Sequence, residues 1–446
     1  MNNTIRETLD IRPMGSFQCM VIGLCFLINM LDGFDVLVMA FTAASVSKEW
    51  GLSGSQLGYL LSAGLVGMAL GSLFIAPWAD RFGRRPLIIL CICVAGSGMV
   101  ASSFAPSPVV LGVLRLITGL GIGGILASSY VIAGEYASKR WRGLAIALQS
   151  TAYALGATIG GIIATQLIPS MGWRSVFLYG GFATLATLVV LIPLLPESID
   201  FLLSRQPKRA LERVNKLVRR VGLAQIECLP LVEIAGKERL GGAFRRLLSP
   251  ALLRSTVLIW AAFFLVMFGF YFVLSWTPRL LVSAGLSEQQ GITGGVLLNV
   301  GGIFGTFLIG LLAAKFRLSR VLITYLLVNA VLLAVFVATT GHLQFAYGVV
   351  LLIGIFVNGC IAGIYALTPT LYGPSERVTG LGWGIGIGRS GAILSPLVAG
   401  KLIDSNWAPA ELYQLFSIAF VLAALAILLL RLSATSPAPV TAPATH

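Results

Sequence analysis

Four ionisable side chains sit inside long apolar runs of this 446-residue chain: Asp32, Asp35, Arg115 and Arg389. Moving such a group into a hydrocarbon layer costs at least about 2.5–3.5 kcal/mol on insertion scales, so each one marks a functional position by default. Asp32 and Asp35 stand three residues apart and share a helical face. Two close carboxylates disfavour each other's charged form, whereas a guanidinium favours it. A carboxyl group balanced between those influences exchanges a proton when its surroundings change. By the helical rise, the two aspartates lie about 12–16 Å from one end of their run, and Arg115 about 9 Å from the same end of its own. Asp32, Asp35 and Arg115 are therefore the expected proton-handling group, with a static Asp–Arg structural pair as the alternative. Arg389 is about 16 Å into its run. Its guanidinium suits bidentate hydrogen bonding to a planar carboxylate. The alternative there is a partner for a helix carbonyl or for Asp35.

The elements that must position these charges are membrane spans. Hydrophobic residues make up 57% of the chain and charged residues 11%, with a mean hydropathy of +0.92 and 51 glycines. Soluble domains carry about 25% charged residues, so a soluble enzyme, a disordered chain and a fibrous protein are all excluded. Segments long enough to cross a bilayer fall at 17–42, 55–76, 86–105, 109–134, 143–167 and 173–193. A second set falls at 255–277, 291–313, 320–340, 344–370, 378–402 and 411–431. The polar stretch between the sets, 197–254, holds an expected amphipathic helix around Pro207–Arg220. The first segment is longer than a signal peptide and no small-residue cleavage site follows it.

Lys and Arg orient the spans. With the N-terminus inside, 25 of the 31 fall on the inner side, and only Lys48, Arg174, Arg279 and Lys401 fall outside. Both termini are thus expected in the cytoplasm. The net charge of +14 then reflects topology and attraction to anionic lipid, and no nucleic-acid partner is expected. Of the six cysteines, five lie in apolar runs and Cys228 stands alone, which gives neither a disulfide frame nor a metal site. His342 and His446 form no metal pair, and no HExxH, Walker or GxSxG element is present. Gly119, Gly121 and Gly124 spell a literal GxGxxG, but within an apolar helix with no preceding strand it reads as close helix packing and not as a dinucleotide site.

Gly71-Ser-Leu-Phe-Ile-Ala-Pro-Trp-Ala-Asp-Arg-Phe repeats weakly at Gly305-Thr-Phe-Leu-Ile-Gly-Leu-Leu-Ala-Ala-Lys-Phe, each after the second span of its set. The loop Asp80-Arg81-Phe82-Gly83-Arg84-Arg85 resembles the loop 2–3 signature of the major facilitator superfamily, with Ala76 in place of its leading Gly. In the second copy Ala314 replaces the acid. The run from Arg115 to Gly124 resembles the family's fourth-helix motif, Gly156, Gly160 and Gly161 its glycine-rich fifth helix, and Pro196-Glu197-Ser198 the end of its sixth. More narrowly, Asp32-Gly-Phe-Asp35, Gly134-Glu-Tyr136 with Arg142-Gly143, and Gly388-Arg-Ser-Gly391 resemble the aromatic acid:proton symporter family.

The resemblance implies an all-α integral membrane protein with the major facilitator fold. Twelve transmembrane helices would form two six-helix halves, 1–196 and 255–432, around a cytoplasmic central loop at 197–254, with a disordered tail at 433–446. It implies uptake of benzoate-type and hydroxybenzoate-type carboxylates with protons across a bacterial inner membrane, by a monomer with no cofactor beyond the coupling proton. Asp80, Arg81, Gly83, Arg84 and Arg85 would act as a cytoplasmic latch, with Glu135, Arg142 and Arg377 at nearby helix ends. Arg389 would bind substrate, and Asp35, Tyr271, Trp276, Asn299, Asn358 and Tyr365 are its expected companions, with interhelical hydrogen bonding as the alternative role of the last three. The seventh span's other rings, such as Phe263, Phe268 and Phe272, read as packing. Rival readings are a drug:proton antiporter, a symporter for non-aromatic acids such as muconate, a membrane sensor and a membrane enzyme. The last two lack any signalling domain or catalytic constellation in the sequence.

Overall fold

Apolar runs of this length have one low-energy form in hydrocarbon, the helix, which satisfies its backbone groups internally. The computed structural model describes residues 8, 10, 11, 13–222, 225–229, 245–250, 252–339, 341–373 and 376–434, and no strand occurs among them. The first set of spans forms α1 (Ser16–Trp50), α2 (Gly54–Phe82), α3 (Arg84–Ser103), α4 (Pro108–Tyr136), α5 (Arg142–Met171) and α6 (Trp173–Leu194). Two short helices follow, α7 (Ile199–Arg205) and α8 (Ala210–Arg220). The second set forms α9 (Leu253–Ser283), α10 (Glu288–Lys315), α11 (Leu318–Phe336), α12 (Leu343–Thr370), α13 (Arg377–Asp404) and α14 (Pro409–Ala434).

Eleven of these are long and apolar enough to cross a membrane by length and composition among the described residues. The twelfth expected span is the 28-residue α13, whose seven glycines, Arg389 and Lys401 dilute its apolar content. Several boundaries move; the second span's helix runs on to Phe82 and the seventh's to Ser283. The helix of the first span runs on to Trp50, past its expected end at 42. Ser45, Ser47, Lys48 and Glu49 end the apolar run without breaking a helix, and Gly51 stops it in a left-handed turn at φ 60°. The amphipathic helix begins at Ala210 rather than Pro207 because Arg209 takes φ 59°. Its Val214, Leu217 and Val218 are buried in a core with Tyr136, Leu191 and Leu202, and its basic residues face out. Of the expected central loop, 223, 224, 230–244 and 251 lie outside the described residues, as does 435–446 of the expected tail.

By its contacts the chain divides into two compact units. The first takes 1–236 with 274–300 and 396–405; the second takes 237–273, 301–395 and 406–446. In the first unit α4 is the axle. A Cβ on Gly119 would lie 2.2 Å from the Gly64 carbonyl of α2, and one on Gly123 2.1 Å from that of Met68. Gly121 meets the Cys91 carbonyl of α3 in the same way, and Gly124 meets the Cys91 sulfur. The GxGxxG letters therefore serve backbone contact between three helices, as read from the sequence. In the second unit, aromatic rings join α9, α11 and α14: Phe272 stacks on Phe416 at 3.9 Å between centroids, and Phe336 meets Tyr413 edge-on at 4.9 Å.

Gly123→Leu is expected to lower the thermal unfolding temperature of the detergent-solubilised protein, at a cost of about 1–3 kcal/mol from overpacking. Gly348 has no neighbour within 4 Å of its would-be Cβ. Gly348→Ala is expected to be neutral or stabilising by up to about 1 kcal/mol in the same measurement.

Candidate functional site

Helix α4 carries Arg115 one and a half turns or more inside the apolar layer, where a guanidinium must find a partner. It finds Asp35 on α1. Nη1 donates to Oδ1 at 2.9 Å, Nη2 to Oδ2 at 3.2 Å, and Nη2 again to the Asp35 backbone carbonyl at 2.8 Å. Both side chains are buried, Arg115 at 3% and Asp35 at 5% exposure. Gly64 of α2 backs the guanidinium, since a Cβ there would sit 3.5 Å from Nη2. The Phe177 ring of α6 lies 5.8 Å from the Arg115 Cζ. A two-point fork in a dry setting is a strong interaction whose loss leaves an uncompensated charge.

Small cavities flank the pair on two sides. One is lined by Asp32, Asp35, Ile92, Met99 and Thr184, and the other by Asp35, Arg115, Gly64 and Met68. Each has room for about one water molecule. The structure thus brings Asp35 and Arg115 into direct contact and sets Asp32, itself 7% exposed, beside the same carboxylate across a cavity.

In the second unit Arg389 is half-buried on α13. The helix lies close to α9 here because Gly384 and Gly388 face Phe263 and Gly391 meets the Phe264 carbonyl. Phe263 in turn makes an edge contact of 5.5 Å with Tyr365. Phe263 thereby bridges α13 and α12. Tyr271 is buried with its ring edge-on to Phe270 at 5.2 Å. Asn358 packs over Gly302 of α10 and donates to the Gly354 carbonyl at 3.0 Å, a bond within its own helix. In the first unit, Asn299 donates to Gly295 at 2.8 Å in the same manner, and Trp276 is 1% exposed.

The loop after α2 forms a tight charged network. Gly83 has φ 105°, and a Cβ on it would fall 2.5 Å from the Glu197 carboxylate, so only glycine fits. Glu197 accepts from the backbone N–H of Arg84 at 2.8 Å, Arg85 at 3.1 Å and Ser198 at 2.9 Å. The Arg84 guanidinium pairs with the buried Glu135 and donates to Ser198 Oγ at 2.5 Å. Ser198 Oγ donates to Glu135 at 2.6 Å. Arg85 donates to the Ile192 carbonyl at 2.5 Å, and Arg81 lies over the Phe82 ring. Asp80 is exposed and 3.7 Å from Arg84. Arg142 pairs with Asp10 and donates to the Gly134 carbonyl at 3.0 Å. Arg377 is exposed in the first turn of α13. These described bonds of the loop run to α4, α6 and α7 of its own half of the sequence.

Sequence reading gave no role to several charged residues that the structure employs. Glu197 is the hub of the network just described; its Pro-Glu-Ser context was the available signal. At the opposite ends of the helices, Glu49 pairs with Arg174 at 2.7 Å and accepts from the Trp173 indole at 2.6 Å. Also there, Ser45 donates to Glu288, and Asp404 accepts from the N–H groups of Gly54 and Ser55 at 2.5 and 2.9 Å. No spacing rule reveals partners 243 to 350 residues apart.

Residues 24–317 match the family model described as Major Facilitator Superfamily. The chain is 33% identical over 438 residues to the gallate transporter of Pseudomonas putida, covering 95% of this chain and 94% of that protein. It is 30% identical over 436 residues to the 4-hydroxybenzoate transporter PcaK of Acinetobacter baylyi, with the same two coverages. Among solved structures it is similar to a D-xylose-proton symporter, with a TM-score of 0.72, 18% identity, and coverage of 93% of this chain and 97% of that one. That likeness speaks to the fold.

Breaking the buried fork from one side is expected to be worse than removing it. Asp35→Asn and Arg115→Leu should each destabilise the protein by about 3–5 kcal/mol, and the double variant by less than their sum. Thermal unfolding of the three variants in nanodiscs gives the coupling.

Proposed function

The chain belongs to the major facilitator superfamily, in its aromatic acid:proton symporter family, and on that premise we propose that it imports an aromatic carboxylate together with protons. It is a multi-pass secondary transporter and not an enzyme. One observation carries the coupling: the Asp35 carboxylate, clamped by Arg115 inside a span, lies beside a second carboxylate, Asp32. The substrate class is supported by the gallate and 4-hydroxybenzoate transporters to which the chain is similar over nearly its whole length.

In the proposed cycle the Asp32–Asp35 pair takes up a proton on the outer side. A protonated carboxyl offers Arg115 one acceptor fewer and no charge, so the fork loosens. Arg389 binds the substrate carboxylate by its own fork, and the rings of α9 and α12 supply an apolar flank to the substrate's ring. Proton and substrate bring opposite charges, so together they leave the summed buried charge unchanged, and the two six-helix halves rock about the site to release both inside. No cofactor is needed beyond the coupling proton. The strongly biased Lys and Arg distribution supports both termini lying in the cytoplasm, and the bacterial relatives support an inner-membrane location. A monomer suffices for this cycle.

Counterflow in liposomes tests the substrate class. Labelled 4-hydroxybenzoate should be trans-stimulated by unlabelled benzoate-type acids, and Arg389→Lys should weaken this by about tenfold or more through loss of the two-point contact. If muconate exchanges and benzoate does not, the substrate is a non-aromatic acid; if no acid exchanges with folded protein, the proposal fails.

Asp32→Asn/Asp35→Asn should keep counterflow, which needs no net proton movement, while abolishing accumulation driven by a pH gradient. Accumulation left intact would remove the aspartates from coupling.

A further inference from the structure

The helices of the second set end, away from the basic loops, in two carboxylates that grip the first set. Asp404, the last residue of α13, accepts from Gly54 and Ser55, the first two N–H groups of α2. Glu288, the first residue of α10, accepts from the Ser45 hydroxyl of α1. All these residues belong to the same compact unit. The approach is close: a Cβ on Gly54 would lie 2.4 Å from the Gly400 carbonyl, and one on Gly400 would lie 2.2 Å from that of Gly54.

Helix α2 does not need Asp404 in order to form. Ser53 and Gln56 already make a reciprocal capping box, in which Ser53 Oγ accepts from the Gln56 N–H at 3.2 Å and the Gln56 side chain accepts from the Ser53 N–H at 3.0 Å. The box leaves the N–H groups of Gly54 and Ser55 over, and these are the two that Asp404 takes. Its charge also lies at the positive end of the α2 dipole. Asp404 is exposed to solvent, so when the contact opens water replaces both partners at little loss. A contact that is surplus to helix formation, joins two elements 350 residues apart and stands in water is suited to being made and broken repeatedly.

We propose that Asp404, seconded by Glu288, is the outer gate latch of the transport cycle. It holds the outer ends of α13 and α2 together while the path to the cytoplasm is open, and it releases when the outer side opens. This rests on the alternating-access reading and on the orientation given above. Asp404 is a positioning residue, since it touches neither substrate nor coupling proton.

Hydrogen–deuterium exchange of the full-length protein in nanodiscs tests the latch without any substrate. Asp404→Asn keeps size and one acceptor but loses the charge and one bond. It should raise exchange at the outer ends of α1, α2, α10 and α13 together, and lower it at the inner ends of α3 and α4. The population shift should be about threefold, and about tenfold when Glu288→Gln is added. Ser53→Ala, which breaks only the local cap, should speed exchange in the first turn of α2 alone. If Asp404→Asn gives that same local pattern, or none, the latch is overturned. Wild-type counterflow, run in parallel, reports separately on the transport reading, so its failure is distinguishable from that of the latch.

Discussion

A guanidinium and a carboxylate held in the apolar layer set the terms for the first half of this protein. Arg115 and Asp35 each lose several kcal/mol of hydration on entering the bilayer, and only a short, well-aligned contact returns it. The observed fork is such a contact, but it requires α1, α2 and α4 to approach more closely than ordinary side chains allow. That requirement is visible in the glycines. Gly64 lies against the guanidinium, Gly119 and Gly123 lay α4 on the α2 backbone, and Gly33 and Gly156 let α1 and α5 cross at the level of the aspartates. The charge pair and the small residues are two faces of one constraint. Without the pair the close packing would have no electrostatic reason, and without the packing the pair would not close.

Much of this was legible in the sequence because insertion into hydrocarbon penalises charge so heavily. An Asp or Arg in an apolar run stands out without knowledge of the fold, and the periodic glycines of α4 read as packing once the run is recognised as a span. The choice of Asp35 over Asp32 as the partner of Arg115 was not legible. The two share a helical face, and only the rotation of α1 against α4 decides between them. The end of α1 was missed for a related reason. Hydropathy reports where the apolar layer stops, whereas Gly51 decides where the helix stops. Asp404, Glu288 and Glu49 carry no signature at all, because an exposed acid at a helix end is ordinary until its distant partner is seen.

The charged groups of the chain fall into two energetic classes. Around Gly83 the groups are densely interlocked: one Glu197 oxygen accepts three backbone N–H groups, and Glu135, Arg84 and Ser198 satisfy one another with Glu135 buried. Disrupting any member strands several others, so this network behaves as fixed structure that sets the chain's path from α2 into α3 and from α6 into α7. At the opposite helix ends the contacts are fewer, and Asp404 and Glu49 are exposed. Water compensates their loss, and the free energy at stake is correspondingly small. Fixed networks hold an element together through a cycle, whereas weak exposed contacts are the ones a cycle is able to exchange.

Charge accounting then links the buried pair to the proposed cargo. In the proposed cycle a bound carboxylate would bring a negative charge into the layer beside Arg389. The Asp35–Arg115 fork is already neutral as a pair, so protonating Asp35 exposes a cation there at the moment a carboxylate supplies an anion elsewhere. Counting Asp32 as a carboxylate, the four side chains Asp32, Asp35, Arg115 and Arg389 sum to zero, so in the proposed cycle the total is unchanged when both ligands are present and shifts by one charge when either comes alone. Coupling of this kind needs no direct contact between proton and substrate. It needs only that each imbalance be too costly to carry through the membrane, and the apolar surroundings of Arg115 and Asp35 provide that cost.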